Sequence, residues 1–262
     1  MNKNHEIDYK LHGEEMQCVE IELDPQEAVI AEPGSFMMMQ DGITMQTLFG
    51  DGNATGLMGK LFSAGKRLLT GENLFMTVYT NEASRRLSVS FAAPYSGKII
   101  PLQLEQLGGK MICQKDSFLC AAKGVSVGIE FQKKLGTGLF GGEGFIMQKL
   151  EGDGWAFVHS GGHVIEKELQ AGERLKVDTG CIVAFTSLVD YDIQFVGGIK
   201  NSLYGGEGLF YAVLTGPGKV WLQTLPISRL AGRILSYGST GGRREEGSML
   251  GGLGNIFDGD GI

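Results

Sequence analysis

A short motif recurs three times along the chain, and it constrains the fold more than any other feature. Each copy contains a glycine-glutamate step followed by apolar residues, and the copies lie at 71–75, 142–146 and 206–210. A repeat of this length indicates one supersecondary unit that was copied and packed against its own copies. The sequence therefore predicts three related units that share a core.

The resemblance between copies extends beyond the motif. Each copy opens with an apolar strand and a turn, and the copies align without a gap when Phe36, Phe118 and Cys181 are matched. Beyond these positions apolar residues alternate with others, which is the period of a strand with one buried face. The repeated unit is therefore predicted to be a β-structure.

Turn-forming residues support the same interpretation. Glycine occupies 42 positions, and Asn81, Gly152 and Gly216 follow strands of similar length in the three copies. Both residue types tolerate a positive φ, so these positions are predicted hairpin turns. We expect an all-β fold of three repeated β-sandwich or double-stranded β-helix units, packed with pseudo-threefold symmetry.

Changes in composition suggest the boundaries of these units. Residues 227–237 fit either a short helix or a strand, and the glycine-rich sequence beyond them predicts disorder because it offers little apolar surface to bury. The predicted organisation is a first repeat at 1–108 with a glycine-rich insertion at 50–66, a second repeat at 109–172, a third at 173–228 and a disordered tail at 229–262.

Charge and cysteine usage exclude several classes of protein. The formal net charge is −7, and no basic cluster is longer than a pair, so nucleic acid is not an expected partner. The start of the chain does not resemble a signal peptide, and we expect a bacterial, cytoplasmic protein. Without CxxC spacing, the cysteines are predicted to be reduced thiols within strands, and they are Cys18, Cys113, Cys120 and Cys181.

The repeated glutamates Glu72, Glu143 and Glu207 are the first candidate ligand-binding residues. Three equivalent carboxylates that converge on a pseudo-threefold axis would need a cation or shared protons to offset their repulsion. The alternative is local, because a carboxylate in a turn accepts backbone N–H bonds and pairs with a nearby cation. The cations that precede the glutamates are Arg67, Lys134 and Lys200.

His159 and His163 are weaker candidates, in this case for a metal site. Two imidazoles four residues apart can hold zinc when they lie on a helix, but the intervening Gly161 and Gly162 argue against a helix. Neither a phosphate-binding loop nor a catalytic triad can be assembled from the sequence. We therefore predict no cofactor, no catalytic residues and no enzymatic activity.

The methionine run at 37–39, together with Met16 and Met45, allows two interpretations. Methionine is flexible and polarisable, so such a run can form an adaptable binding face. The favoured alternative is a core strand whose side chains contact a second apolar layer. These interpretations differ in whether the side chains are exposed.

Several segments resemble the altered-inheritance-of-mitochondria family, formerly a domain of unknown function. They are 115–119, 141–145, 177–180, 205–210 and 214–226, and the resemblance extends from about Glu20 to Pro226. It implies a fold like that of the tryptophan-RNA-binding attenuation protein, repeated within one chain. It supplies no catalytic residues to carry over, and it does not imply binding of tryptophan or RNA.

We expect a non-enzymatic scaffold or interaction protein that forms homo-oligomers. The tail is a candidate contact to a membrane surface or a protein partner. The alternative is a small-ligand or metal-binding protein that uses the repeated glutamates, since barrel-like β-folds often hold ligands at their open ends.

Overall fold

The computed structural model describes residues 4–49, 75–133, 145–195 and 210–238. Regular structure within these residues consists of nineteen strands, three short 3₁₀ turns and one helix, α1 (Ile227–Gly238). The all-β prediction is confirmed. Residues 1–227 form one compact unit and 228–262 a second. The segment that fitted either helix or strand is helical, and α1 extends past the predicted boundary at 228.

The strands fall into three consecutive groups of six, preceded by β1 (Asp8–His12). The first group is β2 (Cys18–Leu23), β3 (Ala28–Ala31), β4 (Phe36–Met39), β5 (Ile43–Phe49), β6 (Phe75–Asn81) and β7 (Leu87–Ala92). The second group is β8 (Gly97–Gln103), β9 (Lys110–Gln114), β10 (Phe118–Ala122), β11 (Ser126–Lys133), β12 (Phe145–Glu151) and β13 (Trp155–Gly161). The third group is β14 (Val164–Leu169), β15 (Arg174–Asp178), β16 (Ile182–Thr186), β17 (Asp190–Phe195), β18 (Phe210–Thr215) and β19 (Gly218–Gln223).

Each group makes the same four antiparallel pairs. In the first group these are β2–β7, β4–β7, β3–β6 and β5–β6. The second and third groups repeat this arrangement with their own strands. A group therefore consists of two three-stranded layers. Side chains such as Tyr79 on β6 and Phe91 on β7 join the layers, with ring centroids 5.1 Å apart.

Two junctions connect the groups into continuous sheets. Strand β3 pairs with β10, and β9 pairs with β16. The resulting six-stranded sheets have the orders β5-β6-β3-β10-β13-β8 and β11-β12-β9-β16-β19-β14. Closed pseudo-threefold packing would also require a junction between β15 and β4, which is absent among the described strands. The symmetry therefore stays a prediction.

The predicted hairpins at Asn81, Gly152 and Gly216 are wrong. Asn81 ends β6, and Gly152 and Gly216 directly follow β12 and β18; in each case the next strand belongs to the other layer. For example, β6 pairs with β3 and β5, whereas β7 pairs with β2 and β4. A residue that tolerates an unusual φ indicates a sharp turn, but it does not specify which layer the next strand joins.

The gap-free alignment of the third copy is wrong by one residue. Phe118 begins β10 directly after the 3₁₀ turn Lys115–Ser117, and Ile182 begins β16 directly after the turn Thr179–Cys181. Ile182, rather than Cys181, therefore corresponds to Phe118. The preceding turns have unrelated sequences, so apolar pattern alone could not place this boundary.

Among the described residues, buried apolar side chains form two clusters. The larger joins the first two groups, with Ile30 and Phe157 among its members, and Trp221 of the third group also belongs to it. The smaller lies mainly in the third group, with Phe145 and Phe185 fully buried. The four cysteines are free thiols. Cys18, Cys113 and Cys120 lie within strands as predicted, whereas Cys181 ends the 3₁₀ turn Thr179–Cys181, so its predicted place in a strand is wrong. Burial raises the pKa of Cys113 and Cys120.

Candidate functional site

Strand β4 is the outermost strand of its sheet and carries a large apolar side chain at every position. The sheet order is β1-β2-β7-β4, and β7 is the only partner of β4 among the described strands. The exposed fractions are 40% for Phe36, 52% for Met37, 53% for Met38 and 39% for Met39. Contiguous exposed apolar residues on a soluble protein mark interaction sites.

The strands that correspond to β4 in the other groups are buried. All five residues of β10 and the first four of β16 are buried. All three strands also share an irregularity in register after their first residue. The difference is that β10 and β16 lie at junctions between groups, whereas β4 does not.

The prediction that the methionine run lies in the core is therefore wrong. Met16 on the β1–β2 connection and Met45 on β5 are exposed as well. An apolar strand needs a neighbour to cover it, but the sequence pattern does not record whether that neighbour belongs to the same chain. The alternative, an adaptable binding face, remains for this strand.

Strand β15 is an outermost strand of a different sheet. Its sheet order is β15-β18-β17, and β18 is its only partner among the described strands. Arg174 and Lys176 are exposed, whereas Val177 is buried. The Lys176 ammonium lies 5.2 Å from the centroid of the Tyr211 ring on β18. The strand thus exposes basic side chains at Arg174 and Lys176 and buries the apolar side chain of Val177.

A cavity of about 480 Å³ lies beside the turn that follows β3. Its lining includes acidic, aromatic, imidazole and aliphatic side chains from the first two groups and from residue 227. Among the lining residues are Glu32, Tyr95, Phe118, Leu119, His159 and Ile227. Small-molecule sites commonly combine such apolar walls with a few polar groups.

Glu32 is a half-buried residue in this lining. Desolvation by burial raises its pKa to about 7, the charge of Asp116 acts in the same direction, and Lys115 opposes both. Its Oε2 atom is buried and accepts no hydrogen bond from any described residue. A buried carboxyl without a partner favours its neutral form, so Glu32 can change its protonation near neutral pH.

His159 supplies the second unusual polar group. Its Nε2 atom lies 3.1 Å from the backbone oxygen of Tyr95, and burial lowers the pKa of the imidazole to about 4. The ring is neutral at physiological pH, and Nε2–H donates to that carbonyl. The other nitrogen, Nδ1, is then an acceptor, and it has no hydrogen-bond partner among the described residues.

The sequence-predicted site residues are only partly described by the structure. Glu72, Glu143 and Glu207 lie outside the described residues, so the ligand prediction for them stays a prediction. His159 is buried on β13, and His163 is exposed beyond the turn. Among the described residues, no group of three potential metal-ligating side chains occurs.

Sequence reasoning singled out His159 but missed Glu32, the other unusual polar group of the cavity. The signal available was the acidic residue in two equivalent turns, Glu32 before Pro33 and Asp116 after Lys115. These turns lie on neighbouring strands only because β3 pairs with β10, and that long-range pairing could not be read from the repeat alone.

Comparison with known proteins agrees with this architecture. A family model described as Mitochondrial biogenesis AIM24 matches residues 9–225. The chain belongs to the AIM24 family. An uncharacterized protein of Streptococcus pyogenes serotype M6 is 30% identical over 222 residues, which cover 84% of this chain and 86% of that protein.

The fold of this AIM24-family chain also resembles a solved structure. The X-ray crystal structure of a Streptococcus pyogenes protein matches with a TM-score of 0.70 and 22% identity, over 88% of this chain and 99% of that one. The predicted family resemblance is confirmed. Within the described residues, no helix combines the length and apolar character needed to cross a membrane.

Proposed function

We propose that this AIM24-family chain is a non-enzymatic scaffold or interaction protein that binds a partner along β4. The observation that carries the proposal is the exposure of four consecutive large apolar residues, Phe36 to Met39, on an outermost strand. The equivalent strands are covered where they meet a neighbouring group. Strand β4 therefore has the apolar composition of the buried strands β10 and β16, but it lies at the edge of its sheet.

The backbone of β4 contributes to this proposal as well. An outermost strand presents unpaired N–H and C=O groups, and a second strand can add to the sheet through them. Natural edge strands usually prevent such addition with lysine or proline, yet β4 contains neither. Flexible methionine side chains can adapt to the surface of an added strand. A homo-oligomer is the first partner arrangement that we propose.

Sedimentation velocity of the full chain across a concentration series tests this function. The Met37→Ser/Met38→Ser variant removes exposed apolar surface and should shift the chain toward monomer. The matched control is Ile165→Ser on β14, another exposed apolar residue in a different sheet. Wild-type protein that remains monomeric and gains no partner in crosslinking of living cells would overturn the proposal.

A membrane-surface contact through the C-terminal segment is an extension of the same proposal. Helix α1 exposes Ile234 and Leu235 and carries Arg229 and Arg233. Adjacent apolar and basic residues on a short helix suit the boundary of an anionic bilayer. Flotation with vesicles of phosphatidylglycerol and phosphatidylcholine should recover wild-type protein but not Ile234→Ser/Leu235→Ser, and equal recovery would remove this extension.

The second candidate function is binding of a small ligand. The repeated glutamates motivated it, and the cavity beside Glu32 and His159 is the structural observation that favours it. A small aromatic molecule with an N–H donor would match the apolar walls and the two acceptors without partners. Native mass spectrometry of wild type and Glu32→Gln, with benzylamine as the probe, tests ligand binding in the cavity. Metal analysis of purified protein tests metal binding by the repeated glutamates.

A further inference from the structure

The two junctions inside the chain follow one rule of pairing. At the first, Ala31, Ile30 and Val29 of β3 lie opposite Cys120, Ala121 and Ala122 of β10. At the second, Cys113, Ile112 and Met111 of β9 lie opposite Ala184, Phe185 and Thr186 of β16. In both cases the second strand of one group meets the third strand of the following group.

Under this rule, one second strand and one third strand have no partner strand in another group. Strand β15 is the second strand of the last group, and β4 is the third strand of the first group. Among the described residues, each pairs on one side only, β15 with β18 and β4 with β7. The first and last groups therefore each carry one of the two strands that such a junction requires.

We propose that β15 of one copy pairs antiparallel with β4 of a second copy. The register follows from the internal junctions, because Met38 occupies the position of Cys120 and Ala184 relative to the neighbouring strand. Val177 then lies opposite Met38, Lys176 opposite Met39 and Leu175 opposite Gln40. This inference rests on the proposed interaction function and specifies its partner and surface.

Charge complementarity supports the register. The first internal junction continues past its three pairs, since the backbone N–H of Lys123 donates to the oxygen of Ala28 at 3.0 Å. The equivalent continuation places Asp41 opposite Arg174, and both side chains are exposed in the chain alone. Opposite charges in directly facing positions stabilise a strand pair.

Apolar contacts support it as well. Pairing would give the open edge of β4 a neighbouring strand, as β3 and β9 give to β10 and β16. Lys176 can lay its alkyl stem along Met39 and keep its ammonium in water. Pairing would extend the sheet to the order β17-β18-β15-β4-β7-β2-β1. Because the two surfaces differ, the contact is head-to-tail and produces a ring or a filament.

Charge exchange tests the surface with little risk to folding. Asp41→Arg and Arg174→Asp each place like charges opposite one another and should weaken self-association about fivefold. The double variant Asp41→Arg/Arg174→Asp should restore the wild-type association. The matched control is Asp190→Arg on β17, an exposed acidic residue that the proposed pair does not use.

Disulfide crosslinking tests the register. Mixing Met38→Cys protein with Val177→Cys protein under mild oxidation should produce a linked heterodimer, because directly opposed residues in antiparallel strands lie within disulfide range. Wild-type protein with its native cysteines provides the background. Ala31→Cys provides the positive control, since this residue lies opposite the native Cys120 in the same chain.

The possible results separate this inference from the proposed function. Restored association in the double charge variant, together with the mixed disulfide, supports head-to-tail pairing. A Met38→Cys/Val177→Cys chain that only forms an internal disulfide would show closure within one copy and overturn the inference. Self-association that none of these variants alters would overturn it too, while the interaction function would stand.

Discussion

His159 and Tyr95 contact each other in two ways at the edge of the cavity. The imidazole Nε2 lies 3.1 Å from the Tyr95 backbone oxygen, and the two rings meet edge to face with centroids 4.5 Å apart. Burial also raises the pKa of the Tyr95 hydroxyl to about 12. The pair connects β13 to the segment before β8. Burial keeps the imidazole neutral by lowering its pKa, whereas the hydrogen bond to the Tyr95 oxygen acts in the opposite direction.

The first prediction concerns stability between about pH 4.5 and 6.5. The pKa of His159 falls from 6.5 to about 4 on folding, so the unfolded chain binds more protons there and stability decreases as the pH falls. The pKa of Glu32 rises from 4.5 to about 7, so the folded chain binds more protons and stability decreases as the pH rises. We expect the two slopes to oppose each other in the wild type.

Single variants should separate the pH dependence of stability that His159 causes from the one that Glu32 causes. In Glu32→Gln, urea unfolding should show stability that drops by on the order of 2 kcal/mol as the pH falls through this window, after allowance for partial solvent screening. In His159→Gln, which keeps a donor for the Tyr95 oxygen, stability should instead decrease as the pH rises toward 7. Parallel pH profiles for both variants would contradict the assigned pKa directions.

Asn81 provides a second prediction about stability. Its side chain is fully buried, its Nδ2 donates to the oxygens of Leu23 and Arg85, both at 2.8 Å, and its Oδ1 accepts from the N–H of Ala83 at 3.0 Å. Asn81→Asp removes both donors and should cost about 2 to 4 kcal/mol in chemical unfolding. An unchanged midpoint would show that these bonds do not contribute.

Thr44 supplies the control for that measurement. Its hydroxyl donates to the Glu82 carboxylate at 3.1 Å on the exposed surface of β5. Thr44→Ala should change the free energy of unfolding by less than about 0.5 kcal/mol, because water replaces an exposed hydrogen bond. The contrast between the two variants tests whether burial of the polar group determines the cost.

The sequence predicted where the strands lie better than it predicted which strands pair with one another. Alternation of apolar residues identified β5, β11 and β17, because that period depends on local burial alone. It did not assign β7 to a different layer from β6, nor did it reveal that the methionines of β4 are exposed. Both depend on which distant strand lies alongside, and that information is not contained in a local period.

In the candidate site too, the sequence identified a residue but not its contacts in space. His159 was recognised as a notable residue, but its suggested partner was His163, four residues away. Its observed contact is the backbone of Tyr95, and the cavity also contains Glu32 from another group. The turn after β13 places the two histidines in different environments, one buried and one exposed, which their proximity in sequence did not indicate.

A third prediction uses the glycine at the end of β13. A Cβ atom on Gly161 would lie 1.9 Å from the backbone oxygen of Leu225 and 2.7 Å from the Tyr95 ring. Gly161→Ala should therefore destabilise the fold by about 3 kcal/mol or more in thermal or chemical unfolding. Gly128→Ala on β11 is the control, because its Cβ would meet only the flexible Lys149 side chain, and a similar cost for both would contradict the steric explanation.

The last prediction concerns Gln223, which joins the second group to the third. Its Oε1 accepts from the Gly161 N–H at 2.7 Å, its Nε2 donates to the Gly180 oxygen at 2.8 Å, and the residue is buried. Gln223→Glu keeps the acceptor but loses the donor, whereas Gln223→Met loses both and leaves two buried backbone groups without partners. Each unpaired group costs about 1 to 3 kcal/mol, so both variants should unfold at lower urea concentration than wild type. Amide hydrogen exchange should locate the effect, because Gly161 should lose protection in Gln223→Met but retain it in Gln223→Glu. Equal protection of Gly161 in the two variants would contradict its bond to the side chain.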